Sequence, residues 1–187
     1  MLESLSAELP TREGKFKVIA FKNGEREHLV ISKGKISGEV IVRIHSKCVT
    51  GDVFHSKRCD CREQLEKSLE IISREGGVII YLDQEGRGIG LFNKINAYAL
   101  QDLGRDTFQA NRELGFQDDE RNYEDAIEIL KKLKISKIVL ITNNELKIQA
   151  LQNHGFQVRV LKIKSTANKF NKQYLKSKKE KNKKEKK

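Results

Sequence analysis

The chain has 187 residues and a formal net charge of +11, and its length suits one compact domain with a substantial core. Ten lysines and two glutamates lie in residues 169–187, so residues 1–168 carry only +3, which argues against a nucleic-acid-binding surface on the folded part. No apolar run approaches the roughly 18 residues of a membrane span, and the N-terminus shows no signal-peptide pattern. We therefore expect a cytoplasmic protein with a globular domain over 1–168 and a Lys-rich, disordered tail over 169–187.

The hydrophobic pattern predicts strands that alternate with helices. Strands are expected at 16–21 and 28–32, joined near Asn23-Gly24, and at 39–44, 77–82, 137–142 and 156–163. A turn is expected at Gly51-Asp52, and helices after Asp60 and over 91–103, 122–134 and 145–154. This order predicts an α/β fold: a mixed β-sheet flanked by helices in a single domain.

All three cysteines lie in one stretch, HSKCVTGDVFHSKRCDCREQ, at Cys48, Cys59 and Cys61. Three protein ligands are the number that a catalytic zinc uses, with the fourth position left to water. A closed structural site with His45 or His55 as the fourth ligand is one alternative. Three buried, reduced cysteines acting as small apolar residues are another. The odd number of cysteines disfavours a disulfide framework.

Two later stretches have features of phosphate-binding sites. The glycines of the segment 84–90 let the backbone approach a ligand, and Arg87 can bind phosphate through two parallel hydrogen bonds. After Asn143-Asn144, the N-terminus of a predicted helix can accept an anionic group. Taken alone, the segment 84–90 is explained equally well by a plain glycine turn.

Longer segments resemble one known family. VRIHSKCVTGDVFHSKRCDCREQL resembles the zinc-binding signature of GTP cyclohydrolase II, which opens the imidazole ring of GTP at the start of riboflavin synthesis. QEGRGIGLFNKINAYALQD resembles the central signature of that family. ITNNELKIQAL resembles its TNNPxK element, with Glu145 in place of the usual proline. The resemblance covers roughly residues 9–178.

The resemblance implies a role for each matching residue. Zinc is held by Cys48, Cys59 and Cys61, and Tyr98 assists ring opening. Asp119 is a proton acceptor and Arg121 a nucleophile toward the α-phosphorus, although residue chemistry alone favours a clamp on phosphate charge, because a guanidinium holds its proton. The implied contacts to GTP are Arg43, Ile44, His45, Ser46, Lys47, Gln64, Glu85, Gly86, Arg87, Thr107, Thr142 and Lys147.

The implied activity is that of a zinc-dependent GTP cyclohydrolase II that releases formate and pyrophosphate. We expect one Zn²⁺ per subunit, Mg²⁺ with the GTP phosphates and a homodimer, with no specific nucleic acid and no membrane as partner. One alternative is a family member that stops at the formamidopyrimidine. Another is a zinc-stabilised nucleic-acid-binding protein that uses the basic tail.

Two departures from the family have opposite sign. Lys47 stands where a glutamate is usual, and Asp83 where an arginine is usual. If the strands that precede them are neighbours, we expect a reversed ion pair that preserves the local charge balance. Independent change at two solvated positions is the alternative.

Overall fold

The computed structural model describes residues 1–172 and 174–178. Over these residues it has eight β-strands, six α-helices with the bounds given below, a further helical stretch at 174–178 and one 3₁₀ turn, Glu85–Gly88. The strands are β1 (Leu2–Glu3), β2 (Ala7–Thr11), β3 (Gly14–Asn23), β4 (Arg26–Lys33), β5 (Glu39–Ser46), β6 (Gly77–Leu82), β7 (Lys137–Ile141) and β8 (Gln157–Leu161). The helices are α1 (Val49–Asp52), α2 (Cys61–Glu75), α3 (Gly90–Asp102), α4 (Thr107–Glu113), α5 (Glu124–Lys132) and α6 (Glu145–Asn153).

The strands form one mixed sheet, which confirms the predicted α/β fold. Their order is β1-β3-β4-β6-β5-β7-β8, with β2 paired to β3 off this path. Strand β3 is antiparallel to β1, β2 and β4, and β4 is antiparallel to β6. Strands β5, β7 and β8 run parallel, and parallel neighbours need crossover connections such as the helices between them.

The apolar sequence of β6, GVIIYL, explains why helices cover both faces of the sheet. Successive side chains of a strand point to opposite faces. Val78, Ile80 and Leu82 accordingly pack in one buried cluster with the apolar face of α5, whereas Ile79 packs in a second cluster with Ile72 of α2. A strand buried on both faces reads as a continuous apolar run, which is why its bounds were predicted correctly.

The contacts between residues divide the chain into two compact units, each made of three stretches. The first unit consists of Met1–His45, Gln64–Asp83 and Tyr123–Lys164 and holds nearly all of the sheet with α5, α6 and most of α2. The second consists of Ser46–Glu63, Gln84–Asn122 and the described residues from Ser165 onward, and it holds α1, α3, α4 and the 3₁₀ turn.

Two short helices differ from the sequence predictions. Helix α1 occupies Val49–Asp52, where a turn was predicted. Helix α4 lies in a segment for which no helix was predicted, and it begins with a capping box between Asp106 and Gln109. Among the described residues, no helix combines the length and hydropathy of a membrane span.

Part of the Lys-rich segment is ordered. Residues 174–178 are helical, and Lys178 Nζ lies 3.2 Å from both carboxylate oxygens of Asp60. The predicted disorder of 169–187 also concerns Gln173 and residues 179–187, which lie outside the described residues.

Strands β5 and β6 are neighbours in the sheet. The hypothesis of an ion pair between Lys47 and Asp83 assumed this arrangement, and the pair itself stays a prediction.

Candidate active site

The three cysteines converge in the second unit. Cys48 directly precedes α1, and Cys61 is the first residue of α2. Their three sulfur atoms lie within 4.8 Å of one another, and the sulfurs of Cys48 and Cys59 are 3.8 Å apart. Two sulfurs on a tetrahedral zinc with Zn–S bonds of about 2.3 Å are separated by about 3.8 Å. The spacing of the three cysteine sulfurs therefore fits the ligand geometry of a zinc ion.

Gly51 in α1 makes room for the three side chains. A Cβ atom at this position would lie 2.9 Å from Cys59 Sγ and 3.1 Å from Cys48 Sγ. Any other residue would push the sulfurs out of this arrangement, so the glycine predicted as a turn residue allows the three cysteines to lie this close.

The alternative with a histidine as fourth ligand is not supported. Within residues 1–172 and 174–178, the group placed to share one metal ion consists of the three cysteines and includes no histidine. His55 Nε2 accepts a hydrogen bond from Arg62 at 2.9 Å. His45 stacks on Tyr81 with 5.4 Å between the ring centroids.

The protonation of the thiols follows from their proximity. Hydrogen bonds from Cys59 and Cys61, and secondarily the cation of Lys94, lower the pKa of Cys48. The Cys48 thiolate in turn raises the pKa of Cys59 to about 11 and that of Cys61 well above its ordinary value. Without a cation, these shifts favour one thiolate over three. A divalent cation that bound here would displace the remaining protons.

The backbone around Cys48 is held by two carboxylates. Asp52 Oδ2 accepts the Cys48 N–H at 3.0 Å, and Glu85 Oε2 accepts the Val49 N–H at 2.7 Å. The other Glu85 oxygen, Oε1, lies 2.7 Å from Lys94 Nζ. Burial lowers the pKa of Lys94, but the hydrogen bond to Glu85 and the nearby negative groups raise it overall above its ordinary value. Lys94 is therefore a buried cation beside the cysteines.

Tyr98 lies beside the same cluster. Its hydroxyl is 3.3 Å from Thr50 Oγ1. The guanidinium of Arg58 and the ammonium of Lys94 stand 4.9 and 5.7 Å from its ring centroid. Burial raises the pKa of Tyr98, which keeps the phenol in its protonated form.

Arg87 is held in a left-handed backbone conformation, with φ of 63°, which is uncommon for a residue with a side chain. Its guanidinium lies over the rings of Phe108 and Tyr174, 5.2 and 5.7 Å from their centroids. Its carbonyl accepts the Glu120 N–H at 3.0 Å. A Cβ at Gly88 would come within 2.9 Å of Glu120, so this glycine lets the two loops meet.

Asp119 and Arg121 form a two-pronged ion pair. Arg121 Nε donates to Asp119 Oδ1 at 2.8 Å, and its terminal NH2 group donates to Oδ2 at 2.6 Å. The side chain of Asp119 is 7% exposed and that of Arg121 is 16% exposed. The predicted acceptor and the predicted nucleophile are thus brought together.

Two buried polar atoms in the second unit point to a ligand. Ser46 Oγ and Gln84 Oε1 have no hydrogen-bond partner within the described residues. Gln84 uses its Nε2 to donate to Asn122 O at 2.7 Å. Because buried polar atoms are normally paired, both are candidate contacts to a bound molecule. Gln84 was not among the residues that the sequence singled out.

In the first unit, three of the implied GTP contacts are linked. Arg43 donates to Gln64 Oε1 at 2.6 Å and to His45 Nδ1 at 3.3 Å. A third bond, of 3.1 Å, joins Arg43 to Ile141 O. Arg43 is 4% exposed, and its hydrogen bonds hold the side chains of Gln64 and His45 in place.

A second linked group lies where β7 meets α6. Lys147 Nζ donates to Ile44 O at 2.7 Å and lies 5.6 Å from the ring centroid of Tyr123. The Thr142 hydroxyl accepts the Asn144 N–H at 3.0 Å, and Asn144 caps α6. These contacts hold the Thr142 and Lys147 side chains at the N-terminal end of α6, and their role in nucleotide binding stays a prediction.

The remaining implied residues occupy separate positions in the second unit. Lys47 directly precedes Cys48, Gly86 lies inside the 3₁₀ turn, and Thr107 is the first residue of α4. The structure assigns no ligand role to them by itself.

Contacts of the C-terminal segment were missed by the sequence analysis. Asp60, between two cysteines, accepts a hydrogen bond from Ser165 at 2.7 Å as well as binding Lys178. Glu63 accepts two bonds of 2.8 Å from Thr166. The sequence signal for these contacts was the acidic pair Asp60 and Glu63 beside the cysteines. Their spacing is also that of a capping box, so the pair was interpreted as a helix start.

Comparison with known proteins agrees with these residues. The sequence model described as GTP cyclohydrolase II matches residues 3–162. GTP cyclohydrolase-2 of Campylobacter hominis is 56% identical over 92% of this chain and 89% of its own length. GTP cyclohydrolase-2 of Helicobacter pylori strain J99 is 51% identical over 94% of this chain and 93% of its own length.

A solved structure also matches in part. It is RibBX, a two-domain 3,4-dihydroxy-2-butanone 4-phosphate synthase from A. baumannii, with a TM-score of 0.46 and 19% identity. The match covers 89% of this chain and 40% of that chain. A likeness at this level indicates nothing about activity.

Proposed function

The chain belongs to the GTP cyclohydrolase II family, and we propose on that basis that it hydrolyses GTP to a diaminopyrimidinone ribosylamine phosphate, with release of formate and pyrophosphate. The observation that carries the proposal is the cluster of Cys48, Cys59 and Cys61, whose sulfurs lie within 4.8 Å of one another. This reaction is the first step of riboflavin biosynthesis in the family. The cytoplasmic location remains a prediction.

The cysteine cluster would hold one zinc ion for the step at C8 of the purine. When bound, zinc supplies a Lewis acid that activates water for attack on this carbon. Tyr98 is placed 3.3 Å from Thr50 with a raised pKa, and it would donate the proton that the opening ring requires.

The Asp119–Arg121 pair would serve the phosphate step. As a clamp, Arg121 would stabilise the charge that develops when pyrophosphate leaves. As a nucleophile, it would first have to lose a proton, and the Asp119 oxygens at 2.6 and 2.8 Å are placed to accept it. The fork geometry is compatible with both roles.

The remaining cations and polar groups would bind the nucleotide. Arg87 and Lys147 would contact phosphate, whereas Arg43, Ile44, His45, Ser46, Lys47, Gln64, Glu85, Gly86, Thr107 and Thr142 are the other proposed contacts to GTP. Both Glu85 oxygens accept protein hydrogen bonds, so we propose that its contribution to GTP binding is indirect. Mg²⁺ is usually bound through substrate phosphates and only one or two carboxylates, so we propose that this ion enters with the triphosphate.

Incubation with GTP and Mg²⁺, with formate and pyrophosphate measured separately, tests the proposal. We expect one formate and one pyrophosphate per GTP consumed. Pyrophosphate without formate would instead indicate the formamidopyrimidine product. Release of neither product would contradict the proposed activity.

The nucleic-acid-binding alternative is tested with a shortened chain. Removal of 179–187 deletes six of the ten lysines of the segment 169–187. It spares Tyr174, which contacts Arg87, and Lys178, which contacts Asp60. An enzyme should keep formate release, whereas a binder that depends on the tail should lose its ligand.

A homodimer would cover an apolar surface of the second unit. Helix α3 exposes Leu91, Phe92 and Ile95, with Phe92 79% exposed. Clustered apolar residues on a surface are typical of an interface.

We expect Phe92→Asp with Ile95→Asp to give monomers in sedimentation analysis. Phe170→Asp, at an exposed apolar residue outside α3, is the control. A dimer that survives the double change would exclude this face.

A further inference from the structure

Lys94 is a buried charged residue that the activity described above does not use. It lies in the middle of α3 and is 8% exposed. Lysine is almost never buried unless it is paired. Here the ammonium group has two partners, Glu85 Oε1 at 2.7 Å and Cys48 Sγ at 3.2 Å. The second partner is one of the three sulfurs of the proposed metal site.

Glu85 fixes the direction of this contact. One of its oxygens accepts from Lys94, and the other accepts the N–H of Val49, which follows Cys48 in the chain. The carboxylate thus ties the lysine to the backbone that carries the sulfur. The two hydrogen bonds of Glu85 therefore hold the Lys94 ammonium group beside Cys48 Sγ.

The charges around the cysteines explain why a cation is needed there. Three thiolates and one Zn²⁺ carry a net charge of −1, and the Glu85 carboxylate adds a second negative charge. Excess charge in a buried place is costly unless it is paired. An N–H donor on a thiolate also draws electron density from the sulfur, so the metal receives less and stays a stronger Lewis acid.

We propose that Lys94 is a positioning residue of the metal site: by hydrogen-bonding Cys48 Sγ while held by Glu85, it neutralises thiolate charge and keeps the bound metal electrophilic. The inference rests on the proposed function, because it requires a metal at the three cysteines.

Cobalt(II) bound in place of zinc reports on the sulfur directly. We expect Lys94→Met to shift the sulfur-to-cobalt charge-transfer bands to lower energy, because the sulfur lone pairs lose their hydrogen bond. Affinity for zinc, measured by competition with a chromophoric chelator, should fall by about 10–100-fold, as for other partners of metal ligands. Lys94→Arg should restore both readouts toward the wild-type values.

Two further variants separate this role from a structural one. Lys94→Met leaves Glu85 without its cation and can impair folding, so the double variant Glu85→Gln with Lys94→Met removes both charges together. It should show the same band shift while circular dichroism confirms the fold. Arg58→Met is the matched control, because Arg58 lies over the Tyr98 ring at 4.9 Å and its removal should leave the cobalt bands unchanged.

The outcomes distinguish a failure of the proposed Lys94 role from a failure of the proposed metal site. A folded double variant with wild-type bands and wild-type zinc affinity would overturn the role of Lys94 alone. A wild-type protein that binds neither zinc nor cobalt at the cysteines would overturn the metal proposal and this inference with it.

Discussion

Cys59→Ser is expected to abolish formate release from GTP while leaving measurable pyrophosphate release. Cys59 Sγ lies 3.8 Å from Cys48 Sγ, and its loss would open the proposed metal site. In the proposed function the phosphate step depends on Arg121 and Asp119 instead, so pyrophosphate release should continue. The loss of formate release should exceed the about 10–100-fold effect of removing a partner of a metal ligand. Formate and pyrophosphate are measured in parallel from the same incubation.

Val53→Ser is the control for Cys59→Ser. It places the same side chain in the same loop at a residue that is 60% exposed, and both products should form at the wild-type rate. If Cys59→Ser loses both products although it folds and binds GTP, the division of the two steps between separate groups is wrong.

Arg121→Lys is expected to slow pyrophosphate release by about 10²–10³-fold, which is the usual effect of removing one donor to developing charge. Lysine keeps the positive charge but loses the planar fork, which here makes bonds of 2.8 and 2.6 Å to Asp119. Single-turnover measurement of pyrophosphate isolates this step from product release.

The chain offers a matched control for Arg121→Lys. Arg112 forms a similar fork with Asp118, with distances of 3.0 and 3.1 Å, on an exposed surface. Arg112→Lys should release pyrophosphate at the wild-type rate. Near-normal release by Arg121→Lys would reduce Arg121 to a nearby point charge.

The sequence predicted the elements whose residues carry a clear period. Strand β6 was placed at its observed bounds because its residues, GVIIYL, are all apolar or glycine, and α5 was predicted from its apolar spacing. The three cysteines were predicted to form one group from their spacing in the sequence, and their sulfurs do lie within 4.8 Å of one another. Helix α4 was missed because its residues, TFQANRE, have little apolar periodicity, although its capping box was a usable signal.

Contacts that depend on tertiary structure could not be predicted in the same way. Lys94 lies nine residues after Glu85 and 46 after Cys48, and no local spacing relates these positions. A lysine in a helix normally indicates a solvated face. Gln84 Oε1 likewise becomes a candidate contact only when its burial and its lack of a partner within the described residues are known.

X-ray absorption at the zinc edge, together with the metal content of the purified protein, tests whether the three cysteines hold a zinc ion with an open fourth position. We expect one zinc per chain with three sulfur neighbours at about 2.3 Å and one oxygen at about 2.0–2.2 Å. Absence of zinc, or a fourth neighbour with the scattering pattern of an imidazole, would contradict a catalytic site made of Cys48, Cys59 and Cys61.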